Sequence, residues 1–287
     1  MKTIIAVIIP CYKVTRTILD VLKDIPLNVD LIYCVDDGCP DHSGDFIVEK
    51  CSDKRVRVLR CPQNQGVGGA TIAGYKQALL DEADIIVKID GDGQMDPKIL
   101  ERFIHPIQSE LADYTKGNRF YRLEDIYGMP KIRIIGNALL SFLTKFSTGY
   151  WQIFDPSNGY TAIHKKVLEE LPMDRISKRW FFEPDMLFRL NIVRAVVLDI
   201  PMRASYQYEK SNLKIRTVIP EFIFKHTINF LKRIFYNYFL RDFSVASLEF
   251  LLGIPLIIFG IVFSISHWVH SISLGTPASA GTVMIGG

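Results

Sequence analysis

Two aspartates separated by one glycine follow a short apolar run near position 90. The run Ile85-Ile86-Val87 predicts a buried strand, and Asp90 and Asp92 come just after it. Residues i and i+2 of an extended chain point to the same side, so both carboxylates could converge on one cation. A Mg²⁺ site uses oxygen ligands, commonly one or two carboxylates together with substrate phosphates. The alternative is an acidic β-turn, because Asp-Gly pairs are common turn formers.

The chain up to position 90 alternates between strand-like and helix-like patterns. We predict strands at 4–9, 31–35, 56–59 and 85–89, and helices at about 15–23, 42–51 and 70–80. This alternation is typical of a parallel α/β sheet, in which ligands bind beyond the carboxyl ends of the strands. Each predicted strand is followed by an acidic, glycine-rich or turn-forming cluster, namely Pro10-Cys11-Tyr12, Asp36-Asp37, Asn64 to Gly69, and Asp90 to Gln94. We therefore expect one shared site at this edge.

Composition and glycine spacing exclude several function classes. The net charge of +3 is too small to indicate a nucleic-acid binder. Gly66-x-Gly68-Gly69 lacks the dinucleotide-binding spacing, and it lacks the Gly-Lys-Ser/Thr ending of a P-loop. The 5 cysteines form no Cys-x-x-Cys or Cys/His cluster, which favours reduced, mostly buried thiols over disulfides or zinc.

The second half of the chain is less regular. Residues 114–120 follow a strand-like segment, and we place a helix at 131–146 and a turn at 155–159. A strand at 160–163, a helix opening at 180–186 and a strand at 195–200 follow.

The C-terminal region has the composition of a membrane anchor. Residues 220–243 mix aromatic and basic side chains, which is typical of an amphipathic helix in a membrane interface; a core-packed helix with a solvated basic face is the alternative. Residues 245–269 are apolar and long enough to cross a bilayer, although a buried soluble helix would share that composition. The last residues resemble the turn into a second span. We predict a main domain at 1–215, juxtamembrane helices at 216–243 and a transmembrane segment at 244–287.

The placement of basic residues around the apolar segment predicts the side of the membrane on which the main domain lies. Basic residues precede the apolar segment and none occurs from 269 to 287, so the positive-inside rule places the main domain on the cytoplasmic side. The N-terminus enters a strand directly, and we expect no signal peptide.

Four motifs together resemble family 2 glycosyltransferases of the GT-A fold, in the polyprenyl-phosphate glycosyltransferase branch. They are Ile8-Ile9-Pro10-Cys11-Tyr12, Val35-Asp36-Asp37-Gly38, Asn64-x-Gly66-x-Gly68-Gly69-Ala70 and Asp90-Gly91-Asp92-Gly93-Gln94. The resemblance covers about positions 4–214. It implies an inverting enzyme of the inner or plasma membrane that moves a sugar from a UDP- or GDP-sugar to undecaprenyl or dolichyl phosphate. A homo-oligomer is compatible with it.

The resemblance also implies residue roles. Pro10, Tyr12, Asp36 and Asp37 would line the base and ribose pocket, which Asn64, Gly66 and Gly69 would shape. Asp90 and Asp92 would hold Mg²⁺ or Mn²⁺ on the diphosphate, with Gln94 beside it. Arg119, Arg133 and Lys210, with Arg203, would bind the acceptor phosphate, and Asp155 would be the proposed catalytic carboxylate. The alternative for each basic residue is a solvated surface charge.

Two other functions stay open. One is a membrane-associated glycosyltransferase with a non-phosphate acceptor such as a lipid-linked saccharide, and the other is a sugar-nucleotide-binding scaffold without turnover. Processive polysaccharide synthases carry Gln-x-x-Arg-Trp, whereas here Ile176 stands where that glutamine would be, before Arg179-Trp180. This departure weighs against a processive synthase.

Overall fold

The computed structural model describes residues 2–121, 131–203 and 215–286, and the side chains of 131–133 and 215–218 are also outside this description. The chain forms two compact units, Met1–Arg233 and Ile234–Gly287. The sequence-based boundary was 215/216. The first unit reaches further because His226 and Asn229 make buried hydrogen bonds to Ser147 and Asp185.

The first unit is built on a seven-stranded sheet with the order β3-β2-β1-β4-β6-β5-β7. Its strands are β1 (Ile5–Cys11), β2 (Leu31–Asp36), β3 (Val56–Arg60), β4 (Ile85–Lys88), β5 (Tyr114–Asn118), β6 (Thr161–His164) and β7 (Val197–Pro201). Strand β6 is antiparallel to both β4 and β5, and the other pairs are parallel. The expected parallel sheet is therefore a mixed one, because an apolar run such as β6 carries no signal of strand direction.

Helices cover both faces of the sheet. They are α1 (Ile18–Lys23), α2 (Ser43–Lys50), α3 (Val67–Leu80), α4 (Leu100–Gln108), α5 (Lys131–Thr148), α6 (Lys165–Glu170), α7 (Phe182–Ile192) and α8 (Ile215–Phe235). Side chains of β1 alternate between two cores. Ile5, Val7 and Ile9 pack with α1, α2 and α4, whereas Ala6 and Ile8 pack with α3 and α7.

Two sequence-based boundaries need correction. The strand expected before residue 114 is β5 at 114–118, whose polar side chains are buried and bonded: Thr115 donates to the carbonyl of Phe103. Strand β1 continues through Pro10 to Cys11, since its pairing with β2 extends to Asp36.

The second unit is dominated by one long helix. A π-helical segment, Tyr236–Arg241, precedes α9 (Val245–Leu274), and α10 (Ala280–Gly286) follows it. Ser244 and Ser247 form a capping box at the start of α9, and Gly275, at φ 63°, ends it. Within the described residues, α9 is the helix long and apolar enough to cross a membrane.

Candidate active site

A cleft of about 880 Å³ lies at the carboxyl ends of β1, β2 and β4. Seven of the residues singled out from the sequence line it together: Pro10, Tyr12, Asp37, Asn64, Gly66, Asp90 and Asp92. They come from four separate chain segments. The strand-end clusters therefore line one cleft, and its volume suits a substrate of nucleotide-sugar size.

The two acidic residues after β2 are held by backbone N–H groups. Asp36 accepts from the amides of Cys39 and Gly44, each at 2.8 Å, so its carboxylate faces the start of α2 rather than the cleft. Asp37 accepts from the amides of Gln65 and Gly66, at 2.7 and 2.8 Å. Burial raises the pKa of Asp37, and these two amides oppose that rise. Asp37 thus joins the end of β2 to the glycine loop.

The glycine loop is shaped by close packing. Gly66 has φ +88°, and a Cβ there would lie 2.7 Å from the carbonyl oxygen of Lys178. Gly69 donates its amide to the same carbonyl at 3.0 Å, and a Cβ on it would lie 2.4 Å from the Cβ of Gln65. Gly69 therefore supports the wall from behind, whereas Gly66 forms part of the wall.

The Asp-Gly-Asp segment lies in a turn, and Asp90 and Asp92 both line the cleft. Asp92 accepts from the backbone amide of Gln94 at 3.0 Å, and Asp90 accepts from the ammonium of Lys88 at 2.8 Å. The turn and metal interpretations are thus compatible. Two carboxylates on one cleft wall fit a hard divalent cation that completes its shell with phosphate oxygens and water. Among the described residues, no group of three or more His, Cys, Asp or Glu could hold a metal.

A buried lysine fixes Asp90 from inside the fold. Lys88 is 0% exposed, and its Nζ contacts Asp90, the Gly159 carbonyl at 3.2 Å and Glu183 at 3.4 Å. Burial alone would lower the pKa of Lys88, but the charges of Asp90 and Glu183 raise it. Burial also raises the pKa of Glu183, against the pull of Lys88. Sequence analysis missed Lys88, which stands in an apolar run and has Glu183 as a partner 95 positions away.

Asp155 is buried as the partner of Arg119, and neither residue lines the cleft. It is 1% exposed and accepts from Nε and Nη2 of Arg119 at 2.7 and 2.9 Å. Burial opposes ionisation, yet the hydrogen bonds and charge of Arg119 hold the pKa of Asp155 below its ordinary value. Such a bidentate pair fixes the orientation of the guanidinium. The geometry gives Asp155 an orienting contact and no exposed oxygen for proton abstraction.

Lys116 stabilises the turn that carries Asp155. Its buried Nζ donates to the carbonyl oxygens of Asp155 and Asn158 at 2.5 and 2.8 Å. Burial lowers the pKa of Lys116 to about 8, although the charges of Asp155 and Asp199 oppose this.

One smaller cavity adjoins the cleft, and a second adjoins the first. Gln94 and Arg203 line a cavity of about 500 Å³, which shares Asp20 with the cleft. Arg203 also lines a cavity of about 290 Å³ with Arg102 and Tyr121. Gln94 and Arg203 therefore lie beside the cleft rather than inside it.

Two predicted phosphate ligands cannot be placed. Arg133 belongs to α5, but its side chain lies outside the described residues, as does all of Lys210.

The cleft is also lined by basic and aromatic residues to which sequence analysis assigned no role there, among them Lys13, Arg16, Arg179 and Trp180. The charge of Arg179 acts against the raised pKa of Asp37. A sequence signal for two of these residues was available, since the Arg179-Trp180 dipeptide is part of the Gln-x-x-Arg-Trp motif of processive synthases. It weighed only against that class and was not assigned to the cleft.

The fold is that of GT-A glycosyltransferases. Glucosyl-3-phosphoglycerate synthase from Mycobacterium tuberculosis superposes with a TM-score of 0.59 over 80% of both chains, at 19% identity. A complex of that enzyme with Mn²⁺, UDP and glucosyl-3-phosphoglycerate gives a TM-score of 0.58 over 80% of both chains, at 17% identity.

The model of glycosyl transferase family 2 matches residues 6–172, so the chain belongs to that family. The UDP-N-acetylglucosamine–dolichyl-phosphate N-acetylglucosaminyltransferase of Methanococcus voltae is 30% identical, covering 71% of this chain and 86% of that protein. The undecaprenyl-phosphate mannosyltransferase of Micrococcus luteus is 29% identical, covering 68% and 81%. The family and branch suggested by the sequence motifs are confirmed.

Proposed function

We propose that this glycosyltransferase moves a sugar from a nucleoside-diphosphate sugar to a polyprenyl phosphate, inverting the anomeric carbon. The observation that carries the proposal is the cleft that Asp37, Asp90 and Asp92 line beyond the ends of two strands, β2 and β4. Relatives whose names give dolichyl or undecaprenyl phosphate as the acceptor support the substrate class.

The donor would lie along the cleft. Tyr12 and Trp180 are 44% and 55% exposed at its wall, and each offers an aromatic face on which a base can stack. Asp90 and Asp92 would hold Mg²⁺ or Mn²⁺ against the diphosphate. Such a cation, when bound, stabilises the charge that develops on the leaving diphosphate. Lys88 fixes the Asp90 carboxylate through an ion pair at 2.8 Å.

The acceptor chemistry explains the burial of Asp155. A phosphate monoester is largely dianionic near neutral pH, because its second pKa is about 6, and it attacks without a general base. Asp155 is enclosed by Arg119 and cannot easily act as one. Arg119, together with Arg203 from the cavity beside the cleft, would instead offset the repulsion between two anionic substrates. Arg133 and Lys210 remain predicted contributors.

The proposal places the catalytic unit at the cytoplasmic face of a membrane that α9 crosses. Its length of 30 residues exceeds the roughly 20 that a bilayer requires. The basic residues before α9 support this orientation.

The test is a transfer assay with the full chain in lipid nanodiscs. Labelled UDP-N-acetylglucosamine, UDP-glucose and GDP-mannose are supplied separately, with Mn²⁺ or Mg²⁺ and undecaprenyl phosphate. We expect label in the lipid fraction from one donor, and loss of transfer with a chelator. Undecaprenol is the matched control, since it lacks only the phosphate. Label on undecaprenol or on a lipid-linked saccharide, with none on the phosphate, would contradict the proposal.

A further inference from the structure

Residues 177–181, which we call the strap, lie between the glycine loop and helix α8. Two of them, Arg179 and Trp180, line the cleft, and Trp180 is 55% exposed. The strap is irregular up to Phe182, where α7 begins. Because it belongs to no helix or strand, its position depends on the groups that bind it from either side. Those groups therefore decide where two side chains of the cleft wall lie.

On one side, the strap packs against the backbone of the glycine loop. The Lys178 carbonyl accepts from the Gly69 amide at 3.0 Å, and a Cβ on Gly66 would lie 2.7 Å from the same oxygen. A Cβ on Gly68 would lie 2.6 Å from the carbonyl oxygen of Ser177. The three glycines thus allow the loop and the strap to meet backbone against backbone.

On the other side, the strap contacts α8 through an aromatic cluster. Phe181 is 2% exposed, and its ring lies edge-on to Phe222 and His226, with centroid distances of 5.2 and 4.8 Å. The ammonium of Lys225 lies 5.4 Å from the centroid of the Phe181 ring. Three residues of α8 therefore contact the strap residue that directly follows Trp180.

A buried carboxylate makes a second connection between the strap and α8. Asp185, in the first turn of α7, is 4% exposed, and its Oδ2 accepts from the Ser177 amide at 2.8 Å. Its Oδ1 accepts from Nδ2 of Asn229 in α8 at 3.1 Å. Nε and Nη2 of Arg189 donate to Oδ2, each at 3.2 Å. Hydrogen bonds to an ionised group are stronger than neutral ones, so Asp185 ties the beginning of the strap firmly to α8.

The strap in turn acts on the charge of the cleft. The charge of Arg179 lowers the pKa of Asp37, whose carboxylate accepts from two amides of the glycine loop. Asp185 and Asn229 are not among the residues that line the cleft. Their influence on a bound molecule would therefore pass through the strap.

We infer that Asp185 and Asn229 are positioning residues for the donor. By tying the strap to α8, they hold Arg179 and Trp180 in the cleft wall and so set its affinity for a nucleoside diphosphate. The inference deepens the proposed function and rests on it for the class of donor. Helix α8 thus supports the donor site although Asn229 lies 49 positions after Trp180 in the chain.

The test measures the position of the strap separately from nucleotide binding. Trp151→Phe and Trp268→Phe leave Trp180 as the sole tryptophan of the full chain, which is kept in lipid nanodiscs. Asn229→Asp places a second carboxylate against Asp185. Asn229→Ala removes the donor without adding charge, and it replaces the first variant if that one does not fold.

A double variant serves as the rescue. Asn229→Asp is combined with Asp185→Asn, so that the amide oxygen at 185 still accepts from Ser177 while the amide NH2 donates to the new carboxylate. Arg233→Met is the matched control, because Nε and Nη2 of Arg233 donate from α8 to carbonyls near the end of α5.

Two readouts are compared. The fluorescence anisotropy of Trp180 reports the mobility of the strap without ligand, and calorimetric titrations with UDP or GDP, each with Mn²⁺, give Kd. We expect Asn229→Asp to lower the anisotropy and to raise Kd by about tenfold, through loss of a hydrogen bond to a charged group. Asn229→Ala should act in the same direction and less strongly. The double variant should recover most of both changes, and Arg233→Met should change neither.

Three results would overturn the inference. They are an unchanged anisotropy or Kd in the Asn229 variants, an equal change in Arg233→Met, and no recovery in the double variant. Binding of neither nucleotide by the chain with an intact strap would contradict the proposed function and with it the predicted effect on affinity. The anisotropy would still show, without any nucleotide, whether Asn229 holds the strap.

Discussion

The two halves of the sheet hold their polar side chains by different means. At the ends of β1 to β3, Asp36 and Asp37 accept hydrogen bonds from backbone amides of nearby loops. Around β4 to β7, the cations Lys88, Lys116 and Arg119 are held by carboxylates and carbonyls from distant segments. The first arrangement uses backbone N–H groups, which every residue except proline has. The second requires a particular cationic side chain and, in the ion pairs, a particular acidic partner.

Because of this difference, we expect substitutions to lower the stability of the two halves by different amounts. A backbone amide retains its donor whatever the neighbouring side chain, so the acidic pair after β2 depends mainly on loop geometry. A buried ion pair that loses one member leaves an uncompensated charge, which is far more costly. The second half should therefore be the more sensitive to single substitutions outside the cleft.

The largest expected effect is on the buried lysine under the metal-binding turn. Lys88→Met leaves Asp90 and Glu183 without their shared cation, and we expect a loss of about 3–5 kcal/mol of stability. Lys76→Met is the matched control, because Lys76 makes an exposed pair with Asp174, and exposed ion pairs contribute little to stability. Thermal unfolding monitored by circular dichroism compares them. Equal unfolding midpoints for the two variants would show that the ion pairs of Lys88 with Asp90 and Glu183 do not stabilise the fold.

The second prediction concerns Asp92, which follows β4 and lines the cleft. Asp92→Ala should lower kcat for sugar transfer by about 10²–10³-fold, since it removes charge stabilisation from the leaving diphosphate. Asp174→Ala, on the surface, should leave kcat unchanged. Near-normal, metal-dependent transfer by Asp92→Ala would exclude the metal assignment.

The third prediction uses the buried histidine between α5 and α8. Burial lowers the pKa of His226 to about 4 from an ordinary value near 6.5. Between these values the unfolded chain binds more protons, so this group's stabilisation is present above pH 6.5 and is lost on acidification. We expect a loss of about 1–2 kcal/mol between pH 7 and pH 5. Denaturant titrations at several pH values give the unfolding free energy as a function of pH. This free energy should change less with pH in His226→Gln than in His42→Gln, because the side chain of His42 is exposed.

The smallest predicted effect concerns Asp155. Asp155→Asn should reduce kcat less than tenfold, about 1.4 kcal/mol, because the carboxylate orients Arg119 and takes no proton. Arg119→Ala should cost more and should raise KM for the acceptor. Steady-state kinetics with both variants compares the two roles. A greater loss in Asp155→Asn than in Arg119→Ala would instead identify Asp155 as a general base.

The sequence predicted the first half of the molecule better than the second for the same physical reason. Strand-end clusters such as Asp36-Asp37 and Asp90 to Gln94 are local signals, and parallel topology brings them together. The partners of Lys88 and Asp155 are set by tertiary contacts, which no local pattern records. The direction of β6 was missed likewise, since periodicity gives the faces of an element but not its direction.

The central claim is that clusters from separate strands meet around one cation and one diphosphate. The most direct measurement is an anomalous difference map of crystals grown with Mn²⁺ and UDP. We predict one manganese peak within bonding distance of the Asp92 carboxylate, with the diphosphate on its other side. A peak elsewhere, or UDP bound away from Asp37 and Asp90, would contradict the account.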